Sequence, residues 1–241
     1  MLATEAAGLA WLAEGGARVP AVIAADGDVL VLSWAEQRPP SAAAAARFGR
    51  SLARLHLSGA PAFGAPPPGV NSGADGWIGS AGMSYAMSED WPSFFAEHRI
   101  LPYAQRCAEA SRLRPEEYAT IRRVCDRIHD LSGPRVAPAR LHGDLWAGNL
   151  LWQAESGLLI DPAAHGGHPE SDLAMLQLFP PARLDQLLAG YRSVRPLPED
   201  WRSRTALHQL YPLLVHAELF GGRYGAAAAA AAARVLATLS G

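Results

Sequence analysis

Apolar and polar positions change their period several times along this chain, and each change marks an element. Residues 4–15 carry apolar positions at helical spacing and close on Gly15-Gly16, a usual helix stop. From Val19 to Ala25 the pattern turns β-like, breaks at Asp26-Gly27-Asp28 and resumes from Val29 to Leu32, which predicts a hairpin with Asp-Gly at its turn. Ser33-Trp34-Ala35-Glu36 follows, and Arg38-Pro39-Pro40 ends regular structure. Phe48, Leu52 and Leu55 then repeat at i, i+4, i+7, an inward helical stripe that ends at His56, read as a packed, hydrogen-bonded residue. Residues 61–82 are rich in Pro, Gly, Asn and Ser and read as a long loop. Residues 91–110 and 115–131 read as two helices, the second opening on Pro115 with Glu116 and Glu117 set against the helix dipole. Helices resume from about residue 171, break around Pro196 and Pro198, and end in an Ala run at 226–233, the best helix-forming composition.

Between the helices lies LHGDLWAGNLLWQAESGLLIDPAAHGG, residues 141–167. Two short apolar runs, Leu150 to Trp152 and Leu158 to Ile160, flank a polar, Gly-containing break, the pattern of a second hairpin. Folded about Glu155, it sets Asn149 opposite Asp161, with Cβ atoms about 5 Å apart. Mg²⁺ takes oxygen ligands and only one or two carboxylates from a protein, so this pair is a candidate metal site. Asp144 stands five residues before Asn149, where a base would meet an incoming hydroxyl. Protein kinases use the same parts: an Asp base, an Asn five residues on and a metal-binding Asp beyond. His165 and His168 flank Gly166-Gly167, but no Cys or third His follows at a zinc-like spacing, so they read as part of a flexible segment after Asp161.

HGDLWAGN followed by IDPAAHGGHPESDLAML resembles the fructosamine kinase (ketosamine-3-kinase) family, within the aminoglycoside-phosphotransferase and choline-kinase group. FGRSLARLH, WPSFFAEHRILP and LYPLLVHAELFGGRYG agree, so the resemblance runs over nearly the whole chain. It implies an α+β, protein-kinase-like two-lobe fold. Residues 1–36 would be a truncated remnant of the β-containing N-terminal lobe, and 37–241 a mostly helical C-terminal lobe with the catalytic hairpin. It implies an ATP- and Mg²⁺-dependent kinase for a sugar hydroxyl of ketosamines, whether a small fructosamine or ribulosamine or a glycated amine or protein. By the same resemblance Leu32, Ser33 and Ala35 form the adenine hinge, and Glu5 is the helix carboxylate that pairs with a phosphate-binding Lys. Asn149 and Asp161 hold the metal, His142 and Asp172 brace the catalytic loop, and Trp146 lies within reach of a bound sugar. Gly82-Met83-Ser84-Tyr85 departs from the family's usual polar pair near the substrate.

Composition changes this picture at one point. All 21 basic residues are Arg. The family's Lys and glycine-rich strands would fall ahead of Met1, so an inactive or nucleotide-binding pseudokinase is the alternative, as is a kinase for another alcohol such as an aminoglycoside or choline. Strand edges left open by missing strands would favour self-association. A net charge of −2 gives no basic footprint for nucleic acid. Cys107 and Cys125 make no disulfide framework, and neither a signal peptide nor a membrane-length apolar run is present, which together predict a cytoplasmic protein.

Overall fold

Helix α1 (Leu2–Glu14) buries Leu9, Trp11 and Leu12 and closes at Gly15, as the apolar spacing predicts. The computed structural model describes residues 1–71, 73 and 75–239. Strands β1 (Val22–Asp26) and β2 (Val29–Leu32) pair antiparallel, with Asp26 opposite Val29 across the Gly27-Asp28 turn. Ser41 caps α2 (Ala42–Leu57) by accepting from the Ala44 amide at 3.0 Å, and Phe48, Leu52 and Leu55 face inward. Helix α2 lies along α8 (Leu184–Arg192). Gly49 sits against the Leu187 carbonyl and Gly190 against the Ala46 carbonyl, so the two backbones touch where a Cβ on either side would collide.

The stretch at 61–82 is not one loop. It contains β3 (Asp75–Ile78), which pairs with β4 (Ala81–Ser84) across Gly79-Ser80. Glycine at 76, 79 and 82 hid the strand pattern, and the pairing is held from outside by Tyr85, whose ring lies against Gly76. The helix expected over 91–110 also has an interruption. Helices α3 (Trp91–Phe95) and α4 (Leu101–Glu109) are joined by a π turn, Ala96–Ile100. Pro102 has no N–H to close a regular turn onto the His98 carbonyl, which instead accepts from the Arg99 side chain at 3.0 Å. Helix α5 (Pro115–Asp126) ends before a short α6 (Ile128–Leu131).

Strands β5 (Ala139–Leu141) and β8 (His165–Gly167) pair with each other, as do β6 (Leu150–Trp152) and β7 (Gly157–Leu159). Helices α7 (Pro169–Leu178), α8, α9 (Thr205–Phe220) and α10 (Tyr224–Ala237) complete the chain. Two apolar cores result. One joins α3, α4, α5, α9 and α10 around Ile100, Tyr103, Ile121, Leu210 and Leu214. The other joins α1, α2, α7 and α8 around Leu12, Leu52, Leu173 and Leu187. The seam between them carries the candidate chemistry, with Leu145, Leu150 and Leu159 in the second core and Ala163 in the first.

Candidate active site

Strand β5 delivers the chain into a loop braced from below. Gly143 adopts φ +83° and passes so close to the Ala163 carbonyl that only glycine fits. Asp172, on the first turn of α7, accepts from the His142 amide at 2.9 Å and the Gly143 amide at 3.0 Å. His56 Nε2 lies 3.2 Å from the same carboxylate, and His56 Nδ1 shares a hydrogen bond with the Tyr191 hydroxyl at 2.8 Å. Burial alone would raise the Asp172 pKa, but the hydrogen bond and charge of His56, with His142 beside it, hold it below the usual carboxylate value. The expected bracing role of Asp172 and the packed role of His56 thus meet in one network. His142 accepts from the Asp144 amide at Nδ1 (3.2 Å), so Nε2 carries the proton it donates to the Ile160 carbonyl at 2.9 Å. Burial lowers the His142 pKa and keeps the ring neutral.

Asp144 and Asn149 come together as the spacing predicts. Asn149 Nδ2 donates to the Asp144 backbone carbonyl at 2.8 Å and to its carboxylate at 3.0 Å. That leaves Asn149 Oδ1 as the free hard oxygen. The expected register is off by one. Leu150 pairs with Leu159, and the Ile160 amide bonds the Asn149 carbonyl at 3.1 Å, so Ile160 stands opposite Asn149. Asp161 lies one residue further on. Its φ of +49° turns it out of the strand, and its backbone carbonyl is 3.4 Å from Asn149 Nδ2. Asn149 Oδ1 and the Asp161 carboxylate are the oxygen types that a hard divalent cation such as Mg²⁺ takes. Asp144 departs from an ordinary carboxylate: burial raises its pKa to about 6, aided by Asp172 and Asp161 and opposed by the Asn149 hydrogen bond.

Glu5 reaches this corner from α1. Its pKa is raised by burial first, then by the charge and hydrogen bond of Asp161, so it faces a carboxylate rather than a basic side chain. At the expected hinge, Leu32 pairs with Val22. The Ser33 amide is committed to the Ala21 carbonyl at 2.9 Å, and among the described residues the Ser33 carbonyl and the Ala35 backbone make no backbone hydrogen bond.

Trp146 is 38% exposed and meets Phe179 edge-on, with centroids 6.4 Å apart. Phe179 stacks on His216 at 4.8 Å, and His216 lies 5.5 Å from Phe220 and 5.0 Å from Tyr224. Sequence reasoning found Trp146 but missed the rest of this aromatic row, because its members sit on three different helical segments. His165 and His168 are not on a flexible segment. His165 lies in β8 and bonds the Ala163 carbonyl at 2.8 Å, and His168 caps α7 by accepting from the Glu170 amide at 3.1 Å. His168, Glu170 and His208 gather within 4.8 Å. Arg204 already binds both Glu170 oxygens, at 3.0 and 2.8 Å, and supplies the positive charge a metal would bring. The cluster therefore ties α7 to α9.

A family model for fructosamine kinase matches residues 1–238. The chain belongs to the fructosamine kinase family. The crystal structure of a Thermobifida fusca protein assigned as a fructosamine-3-kinase superposes on this member with a TM-score of 0.93 at 45% identity, covering 98% of this chain and 80% of that one. A protein of Escherichia coli K12 assigned as a ketoamine kinase, YniA, is 35% identical over 204 residues, 83% of this chain and 66% of its own length. The chain thus spans just under two thirds of that relative. A choline/ethanolamine kinase family protein of Mesorhizobium loti superposes with a TM-score of 0.59 at 15% identity, covering 100% of this chain and 79% of that one. That likeness concerns the fold, which is the protein-kinase-like α+β fold expected. Among the described residues no helix is long and apolar enough to cross a membrane.

Proposed function

We propose that this fructosamine kinase family member transfers the terminal phosphoryl group of ATP to a sugar hydroxyl of a ketosamine, a fructosamine or ribulosamine adduct on a small amine or a protein, in the cytoplasm. The observation that carries this reading is the Asp144–Asn149–Asp161 corner beside a part-exposed aromatic row. Asp144 is the base: it orients the acceptor hydroxyl and takes its proton. Asn149 Oδ1 and the Asp161 carboxylate would hold Mg²⁺, which when bound neutralises charge on the phosphates. Cation binding there would also pull the raised Asp144 pKa back down. Residues 1–36 serve the nucleotide, with the Ser33 carbonyl and Ala35 at its edge and Leu32 behind, and residues 37–241 carry acceptor and base. The row from Trp146 to Phe220 offers π faces to the C–H side of a sugar ring.

One observation favours a second reading. Glu5 faces the Asp161 carboxylate and makes no ion pair among the described residues, which suits a nucleotide-binding pseudokinase. The deciding measurement is Mg-ATP-dependent phosphorylation of fructosyl-lysine, ribulosyl-lysine, an aminoglycoside and choline, with Asp144→Asn alongside. We expect turnover of the ketosamines, reduced at least about a hundredfold in the variant, since losing a positioned base typically costs that much. Undiminished turnover in Asp144→Asn overturns the assignment of the base. Preference for choline or the aminoglycoside overturns the substrate. No transfer by either protein supports the pseudokinase.

A further inference from the structure

We infer that Trp77 is an acceptor-specificity residue, its indole forming the wall of the cleft on the Asp161 side. The inference rests on the kinase reading above. It starts from the pleat of β3. Alternate residues of a strand face opposite sides, and Gly76 and Ile78 face the core, Gly76 against the Tyr85 ring and Ile78 only 3% exposed. Trp77 therefore turns to the other face. Its cross-strand partner is Gly82, around which there is open space, so no side chain covers the ring from the neighbouring strand. Trp11, Trp91, Trp152 and Trp201 are at most 5% exposed, whereas Trp77 and Trp146 are each 38% exposed and Trp34, in the hinge segment, is 93% exposed.

The position of the ring gives this exposure a meaning. Trp77 lines a cavity of about 210 Å³ with Glu5, Gly79, Asp161 and Pro162. Gly79, at the tip of the same hairpin, abuts Leu219 of α9, one helical turn from His216 in the aromatic row. The hairpin thus bridges from the metal-side carboxylates to the acceptor side. An acceptor that enters between Asp161 and α9 therefore runs along this hairpin. The wall has a definite chemistry. An indole face accepts both the C–H side of a sugar ring and a cationic amine, and the Glu5 carboxylate lines the same cavity. Together they favour a polyol bearing an ammonium group over a neutral sugar.

The test is calorimetric binding of Nα-acetyl-fructosyl-lysine, free fructose, choline, an aminoglycoside and Mg-ADP to the wild type, Trp77→Ala and Trp77→Phe. We expect Trp77→Ala to weaken fructosyl-lysine binding by about tenfold, the usual worth of one aromatic wall, with Mg-ADP affinity unchanged and most of the loss restored by Phe. Loss of Mg-ADP affinity instead, or unchanged acceptor affinity, overturns the inference for Trp77 alone. A fall in melting temperature that Phe does not reverse, with acceptor affinity following it, makes the residue structural and overturns it too. A wild type that binds choline or the aminoglycoside in preference to fructosyl-lysine overturns the proposed substrate, and the Trp77 comparison is then scored on that alcohol. A wild type that binds no acceptor overturns both.

Discussion

Two hairpins with similar aliphatic strands meet opposite fates in this protein. In β1–β2, Ile23 is 66% exposed, Val29 56% and Val31 40%. In β6–β7, Leu150 is 0% and Leu159 1% exposed, and the strands are covered by α2 and α7. Local sequence is enough to turn the chain back in both places. What separates them is long-range: only the second hairpin has helices from distant parts of the chain packed on it. Only the second hairpin is packed on both strands at the proposed phosphoryl-transfer corner, where Asn149 and Asp161 leave its open end.

This contrast can be broken deliberately. Leu159→Ala removes a fully buried side chain under that corner and should cost about 3–4 kcal/mol of stability, measured by urea unfolding. A loss under 1 kcal/mol would mean the buried hairpin is looser than its packing implies. One layer out, Glu170→Gln breaks a buried ion pair with Arg204 and should cost about 3 kcal/mol. The pH dependence sharpens that test. Burial would raise the Glu170 pKa, but His208 and Arg204 overcome it and hold it down at about 2 against the usual 4.5. A depressed folded-state pKa means stability that is fully present above about pH 4.5 and drains away as pH falls from there towards 2. The wild type should show that slope between these values, and Glu170→Gln should lack its share of it. On the exposed hairpin, Ile23→Thr keeps a β-branched residue and should change stability by less than about 0.5 kcal/mol. What it should change is association: exposed aliphatic strands invite pairing, so light scattering should detect self-association in the wild type and less of it in Ile23→Thr. A strictly monomeric wild type at high concentration would remove that expectation.

The same contrast marks what could be read in advance. Helix α1, the β1–β2 turn, the α2 stripe and the Asp144–Asn149 spacing all follow from periods and turn residues within a few positions of each other. The β6–β7 register slipped by one because nothing local distinguishes a turn centred on Glu155 from one between Ala154 and Glu155. Strand β3 was hidden because its pattern rests on Gly76 packing against Tyr85. His208 meets His168 and Glu170 only because α9 returns across α7, and the aromatic row exists only because α7, α9 and α10 converge at Phe179. The elevated pKa of Asp144 is likewise a property of the closed cleft. Burial and the nearby carboxylates of Asp161 and Asp172 are not visible in the HGD motif itself.

The glycine contact between α2 and α8 acts as a gauge block. His56 leaves one helix and Tyr191 the other, and their hydrogen bond to each other sets how His56 is presented to Asp172, which in turn holds the amides preceding Asp144. The spacing of that chain is set by two backbones in contact, with no side chain between them that could be exchanged for one of another size. Adjustment by small steps, the ordinary route by which a core drifts, is therefore closed at Gly49 and Gly190. The smallest possible change, one methyl group, would push the helices apart and reach the proposed base, Asp144, through the His56–Asp172 network.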